Sequence, residues 1–142
     1  MLDTNVPSEV TKPEPHPKVW RFLFDTDPNL FFISVLSYGE LWRGVIQIDQ
    51  GRKKRELERW LAHDFQAFFG SRILPVTQGI IETWAEIKLE HHPGIADTHL
   101  ADMLIAATAL AFDFTLVTRN VRHFSVPRLQ VYNPWEDHLS GY

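Results

Sequence analysis

The chain has 142 residues, 44% of them hydrophobic, with ten Phe and five Trp, which suits a single domain over 1–142 and excludes intrinsic disorder. A formal charge of −4 excludes a protein coated in positive charge for nonspecific nucleic-acid binding, though not a local basic patch. With no cysteine there is no disulfide, and no secretory leader or membrane-length apolar run is seen, so a soluble cytoplasmic protein that does not enter a membrane is expected.

Met1 to Val6 places a carboxylate, Asp3, after only two residues. Asp3, Thr4 and Asn5 hold loops through local hydrogen bonds, and by themselves they read as a polar N-terminus. Residues 7–17 contain Pro7, Pro13, Pro15 and Pro17 and predict an extended loop. Val19, Trp20, Leu23 and Phe24 recur at helical spacing, so 18–24 is expected to be a short helix, and Asp25 to Asn29 a turn. The apolar run 30–34 has strand length. Beyond it, Ser37-Tyr38-Gly39-Glu40 matches a capping box opening a helix that continues through Leu41, Trp42, Val45 and Ile48. Glu40 therefore has two readings at this point, as a capping residue or as part of a site.

A helix is predicted from Gly51 to Phe69, ended by Gly70. Its Arg52, Lys53, Lys54, Arg55 and Arg59 read as a solvated face or, alternatively, as an RNA contact. Arg72 to Val76 predicts a strand, and Thr77 begins a helix that His91-His92-Pro93-Gly94 stops. His91, His92, Asp97 and His99 resemble a metal cluster, but the Pro-Gly pair breaks regular ligand spacing and favours a loop over a zinc site. Asp97 reads as an auxiliary acid or a solvent residue ahead of the next helix.

The stretch 101–111 is apolar on nearly every side, with good helix formers, no Gly or Pro, and one carboxylate, Asp102. Such a helix is expected to be buried, and a carboxylate on it must be paired or functional. Strands follow at 115–118 and 129–132, with a turn at Asn133-Pro134-Trp135. Strands alternating with helices predict an α/β fold with a parallel sheet and helices on both faces. Ligands in such sheets sit beyond the carboxyl ends of the strands. Asp3, the Ser34 to Glu40 segment and Arg119-Asn120 follow strand candidates and open onto one rim, where Asp102 can join them. Three converging carboxylates repel, and a hard divalent cation such as Mg²⁺ or Mn²⁺ removes that conflict. No Walker-type loop and no Gly-x-Ser-x-Gly is present.

The segments Leu2 to Glu9, Ile33 to Leu41, Arg72 to Val76, Ala101 to Ala109, Thr115 to Asn120 and Val131 to Trp135 resemble, in order and at family spacing, the PIN-domain ribonucleases. They are most similar to the VapC toxins of type II toxin–antitoxin pairs and to their FitB-like branch. The resemblance implies a three-layer sandwich whose mainly parallel twisted sheet has about four or five short strands. It also implies Mg²⁺- or Mn²⁺-dependent cleavage of RNA, with Asp3, Glu40 and Asp102 as metal-site carboxylates and Asn5 and Thr118 in support. Arg119 and Arg122 near the rim are candidate phosphate contacts. A homodimer and a small VapB- or FitA-like antitoxin are the implied partners. Two departures stand out. The family's fourth acidic position falls at Asn120 or His123, neither of which is acidic, so Asn120 offers only a carbonyl oxygen. The first strand is also very short, or the start lies upstream of Met1. The rival expectation is a weakened PIN-like module that works with an antitoxin in a DNA-bound repressor complex.

Overall fold

The computed structural model describes residues 1–91 and 100–141. The His91, His92, Asp97 and His99 side chains lie outside what is described. In chain order the elements are α1 (Asn5–Val10), α2 (Pro17–Asp25), β1 (Ile33–Ser34), α3 (Val35–Ile46), α4 (Arg52–Arg59), a π-turn (Trp60–Asp64), α5 (Phe65–Phe69), β2 (Ile73–Leu74), α6 (Gln78–His91), α7 (Leu100–Ala111), β3 (Leu116–Val117), β4 (Gln130–Asn133) and β5 (His138–Gly141). None of the described helices is long and apolar enough to cross a membrane.

Leu2 is the middle of the sheet. It bridges Ile33 on one side and Val117 on the other, both in parallel, and so joins the β1–β2 pair to the β3–β4–β5 ladder. The Leu2 amide donates to Phe32 O at 2.7 Å and the Asp3 amide to Val117 O at 2.9 Å. Because side chains alternate across a strand, each short strand feeds two cores. Met1, Leu74, Leu116 and Val131 pack with Ile80 and Ile87 of α6 and with Ile105 and Ala109 of α7. Leu2, Ile33 and Val117 point the other way, onto Val6, Val19, Leu41, Val45 and Phe65. Helices thus cover both faces, as the alternating pattern predicts. Leu104 to Ala109 of α7 are all buried, in keeping with a helix that is apolar all round.

Four local expectations are corrected. Residues 5–10 form α1 instead of opening a loop, because Pro7 falls in the first turn, where its missing N–H has no helical partner to lose. The predicted 51–69 helix is interrupted by the π-turn, and Gly70, with φ +50°, ends α5 as expected. Beyond the Asn133-Pro134-Trp135 turn, where no further strand is expected, the chain continues. It folds back as β5, antiparallel to β4, although His138-Leu139-Ser140-Gly141 shows no strand-like alternation.

The fourth correction bears on the site. Ser34, the last residue of β1, caps α3 by accepting the Leu36 amide at 3.2 Å. Ser37 sits inside the helix, fully buried, and its Oγ finds no hydrogen-bond partner among the described residues. Glu40 is thereby released from any capping role. Ser34→Ala is expected to cost about 1 kcal/mol in urea denaturation, the usual value of a lost N-cap. Ser37→Ala is expected to be neutral or stabilising by up to about 1 kcal/mol, since it removes a buried unsatisfied hydroxyl. A loss of stability in Ser37→Ala would restore the capping-box assignment.

Of the basic cluster, Arg52, Lys53, Arg55 and Arg59 are exposed and Lys54 alone is buried. The Lys54 Nζ donates to Ile46 O at 3.1 Å and Ile48 O at 3.2 Å, satisfying carbonyls at the end of α3. Arg52 pairs with Glu56 at 2.7 Å on the exposed face of α4.

Candidate active site

Asp3 follows the sheet's central residue and so emerges at the carboxyl end of the strands. It is 5% exposed, and its carboxylate is held on several sides. Oδ1 accepts the Thr4 amide at 2.8 Å, while Oδ2 accepts Asn5 Nδ2 at 2.7 Å and Thr118 Oγ1 at 2.6 Å. Thr118, fully buried at the end of β3, is the hub of this network. Besides donating to Asp3, its hydroxyl accepts Asn5 Nδ2 at 3.0 Å and the Asn120 amide at 3.0 Å. Asn5 Oδ1 in turn accepts the Arg119 amide at 3.1 Å. The two residues expected to support the site therefore tie the N-terminal strand to the loop after β3. Asn120 joins that network through its backbone.

Glu40 lies in α3 and its Oε2 accepts the Thr4 hydroxyl. Asp102 lies in the first turn of α7, where the helix dipole favours a negative charge, which lets an otherwise apolar helix carry one there. Its Oδ2 stands 3.1 Å from His123 Nδ1, in the turn Val121–Phe124. All three carboxylates line one cleft of about 560 Å³, together with Asn5, Arg119, Asn120 and His123. Arg122, in the same turn as His123, is not among the lining residues, nor is any of the five cations of the Arg52 to Arg59 cluster.

The carboxylates influence one another. Burial raises the proton affinity of Asp3. Hydrogen bonds from Thr118, Thr4 and Asn5 oppose the shift, and the charge of Asp102 reinforces it. Burial likewise raises that of Glu40, opposed by the Thr4 hydrogen bond and reinforced by Asp3 and Asp102. Such like-charge strain is what a bound cation relieves. Among the described residues no three Asp, Glu or His side chains stand close enough to enclose one ion directly. Mg²⁺ keeps several of its waters when bound, so the donors need not all touch it, and carboxylate oxygens are the ligands it prefers. In chemistry and charge the cleft fits a hard divalent cation.

Several cleft residues escape sequence reasoning. Arg43 is one helical turn beyond Glu40 and lowers its proton affinity, a relation visible in the i, i+3 spacing. Lys12 reaches the cleft because α1 is helical, and there it meets the buried carboxylate of Glu9 at 2.6 Å. Trp135 arrives from the turn after β4, under the Arg119 guanidinium at 5.8 Å from the ring centroid, and carries no local signal of this placement. Thr118→Val, nearly isosteric, is expected to leave several buried polar partners unsatisfied. It should lower stability by about 1–3 kcal/mol in chemical denaturation and weaken metal binding about 10- to 100-fold by calorimetry. Unchanged values for both would remove Thr118 from the supporting network.

Comparison with known proteins agrees with this architecture. The PIN-domain family model matches residues 1–129. The toxin FitB of Neisseria gonorrhoeae is 32% identical over 137 residues, covering 96% of this chain and 99% of that protein. The VapC ribonuclease Y4jK of Sinorhizobium fredii is 28% identical, covering 96% and 97%. Among solved structures, FitAB bound to an IR36 DNA fragment aligns with a TM-score of 0.84 and 31% identity, covering 99% of this chain and 97% of that one. The chain belongs to the PIN-domain family, among its FitB- and VapC-like toxins.

Proposed function

We propose that this protein is a divalent-metal-dependent endoribonuclease acting as the toxin of a toxin–antitoxin pair. The observation that carries the proposal is the cleft at the carboxyl end of the sheet, which Asp3, Glu40 and Asp102 line from distant parts of the chain. The names of its relatives, a FitB toxin and a VapC ribonuclease, support the same reading. Asp3, Glu40 and Asp102 would hold Mg²⁺ or Mn²⁺. When bound, such an ion neutralises charge at a phosphodiester and makes a water more acidic.

The chain's own residues supply the rest. Thr118, Asn5 and the Thr4 amide fix the Asp3 carboxylate so that it need not reorganise. Arg119, seated on Trp135 at the cleft, and Arg43 beside Glu40 offer guanidinium groups to the RNA backbone. Arg122 remains a candidate contact at the outer rim. Asn120 contributes an amide and no charge, so three carboxylates and a single ion are the economical arrangement.

By analogy with the FitAB and VapBC complexes among its structural neighbours, a small antitoxin is the proposed partner, and the toxin is proposed to form a homodimer acting in the cytoplasm. The second reading, a repressor module whose catalysis has weakened, is favoured by Asn120 and by the DNA-bound state of the FitAB neighbour. Incubating the purified protein with a panel of structured and unstructured RNAs in Mg²⁺, Mn²⁺ or EDTA separates the two. Cleavage with metal and none in EDTA is expected of the nuclease. No cleavage of any RNA, with DNA binding retained alongside the antitoxin, supports the repressor module.

A further inference from the structure

We infer that His123 is a nitrogen ligand at the proposed ion site, paired with Asp102, so that the cleft has a mixed oxygen–nitrogen donor set favouring Mn²⁺ over Mg²⁺. The inference rests on the metal-dependent reading above and specifies the ligands of that site.

The geometry starts from one separation. His123 Nδ1 and Asp102 Oδ2 are 3.1 Å apart, and both residues line the cleft that holds Asp3 and Glu40. Two donors on adjacent corners of an octahedron, each about 2.1 Å from an ion, lie about 3 Å apart. No three acid or imidazole side chains among the described residues already enclose an ion, but this pair stands at ligand spacing. It therefore gives the ion a direct foothold, with the other carboxylates free to act through its waters.

The two side chains come from structures that hold them differently. Asp102 is carried by the buried helix α7 and is 21% exposed, whereas His123 is carried by a short turn and is 51% exposed. A half-exposed imidazole meets an arriving hydrated ion without first being dug out of the protein. Asn120, three residues earlier at the start of the same turn, supplies a neutral oxygen where a carboxylate would add charge. What distinguishes this wall of the cleft is thus a nitrogen donor. Mn²⁺ also prefers oxygen, but it accepts an imidazole nitrogen more readily than Mg²⁺, which demands near-ideal octahedral geometry and dehydrates reluctantly.

The same 3.1 Å also fits a hydrogen bond or ion pair that Asp102 must surrender when metal arrives. The two arrangements predict opposite effects. The test is Mn²⁺ binding to the full chain, followed by titration calorimetry and by pulsed electron paramagnetic resonance, which detects nitrogen bonded to Mn²⁺. Expected are an imidazole nitrogen coupling in the wild type, its disappearance in His123→Ala, and Mn²⁺ affinity lowered about 10- to 100-fold in that variant. His123→Asp should also lack the coupling and should narrow the preference for Mn²⁺ over Mg²⁺. Mn²⁺ bound with no nitrogen coupling, or bound equally or more tightly by His123→Ala, overturns the assignment while leaving a metal-dependent nuclease intact. A wild type that binds no Mn²⁺ at all overturns both.

Discussion

Replacing Asp102 by asparagine is expected to lower the single-turnover rate of RNA cleavage in saturating Mn²⁺ by at least about 100-fold. The side chain keeps its shape, so α7 and its apolar packing should be untouched. What is lost is one of the three carboxylate charges proposed to hold the ion, the cleft's fourth carboxylate, Glu9, being paired with Lys12, and with it the carboxylate that faces His123. Asp3→Asn should be at least as damaging, because an amide in that position cannot accept all three donors that now converge on it. Arg119→Ala is expected to behave differently, raising KM with little change in kcat, as suits a residue proposed to hold the RNA backbone. Equal rates for wild type and Asp102→Asn would exclude this carboxylate from the chemistry.

The same substitution should have the opposite effect on stability. Without metal, Asp102→Asn is expected to melt at a higher temperature than the wild type, because it relieves the like-charge repulsion that adds to burial in raising the proton affinity of Asp3 and Glu40. The sign with pH follows from linkage. A carboxylate whose folded pKa is raised destabilises the fold once it ionises, so the penalty develops as pH climbs from the ordinary carboxylate value through the folded one. The advantage of Asp102→Asn in chelator should therefore be full at neutral pH. It should shrink toward acid pH, as Asp3 and Glu40 become protonated in both the folded and unfolded states. Mn²⁺ should reverse the order of the two proteins. A ligand at 100 times its Kd stabilises by about 2.7 kcal/mol, roughly 5–10 °C for a domain of this size. The wild type should show that rise and Asp102→Asn should not. Equal shifts in both would mean that Mn²⁺ binds elsewhere.

Much of this arrangement is legible in the chain because it depends on local periodicity and on one topological rule. The apolar stretch around Asp102 can only be a buried helix, and strands alternating with helices send Asp3, Glu40 and Arg119 to the same rim. What escapes is set by contacts that local sequence does not encode. Ser37 reads as the cap from local pattern, but the role falls to Ser34 because the parallel pairing of Ser34 with Leu74 ends the strand there. The helix α1 is hidden by Pro7, which marks loops in general and first helical turns in particular. β5 is an edge strand fixed by its pairing with β4, not by its own residues. Thr118 as hub of the network and Trp135 as seat for Arg119 emerge only when residues more than a hundred positions apart, or in separate loops, are brought together.

Anomalous diffraction at the manganese edge, from crystals of the wild type and Asp102→Asn soaked in Mn²⁺, tests most directly whether the carboxylate cleft is a metal centre. One strong peak in the wild type, within reach of Asp3, Glu40 and Asp102 and beside His123, and no peak there in the variant, is the predicted result. Mn²⁺ absent from the cleft of the wild type, or bound there equally in Asp102→Asn, would contradict it.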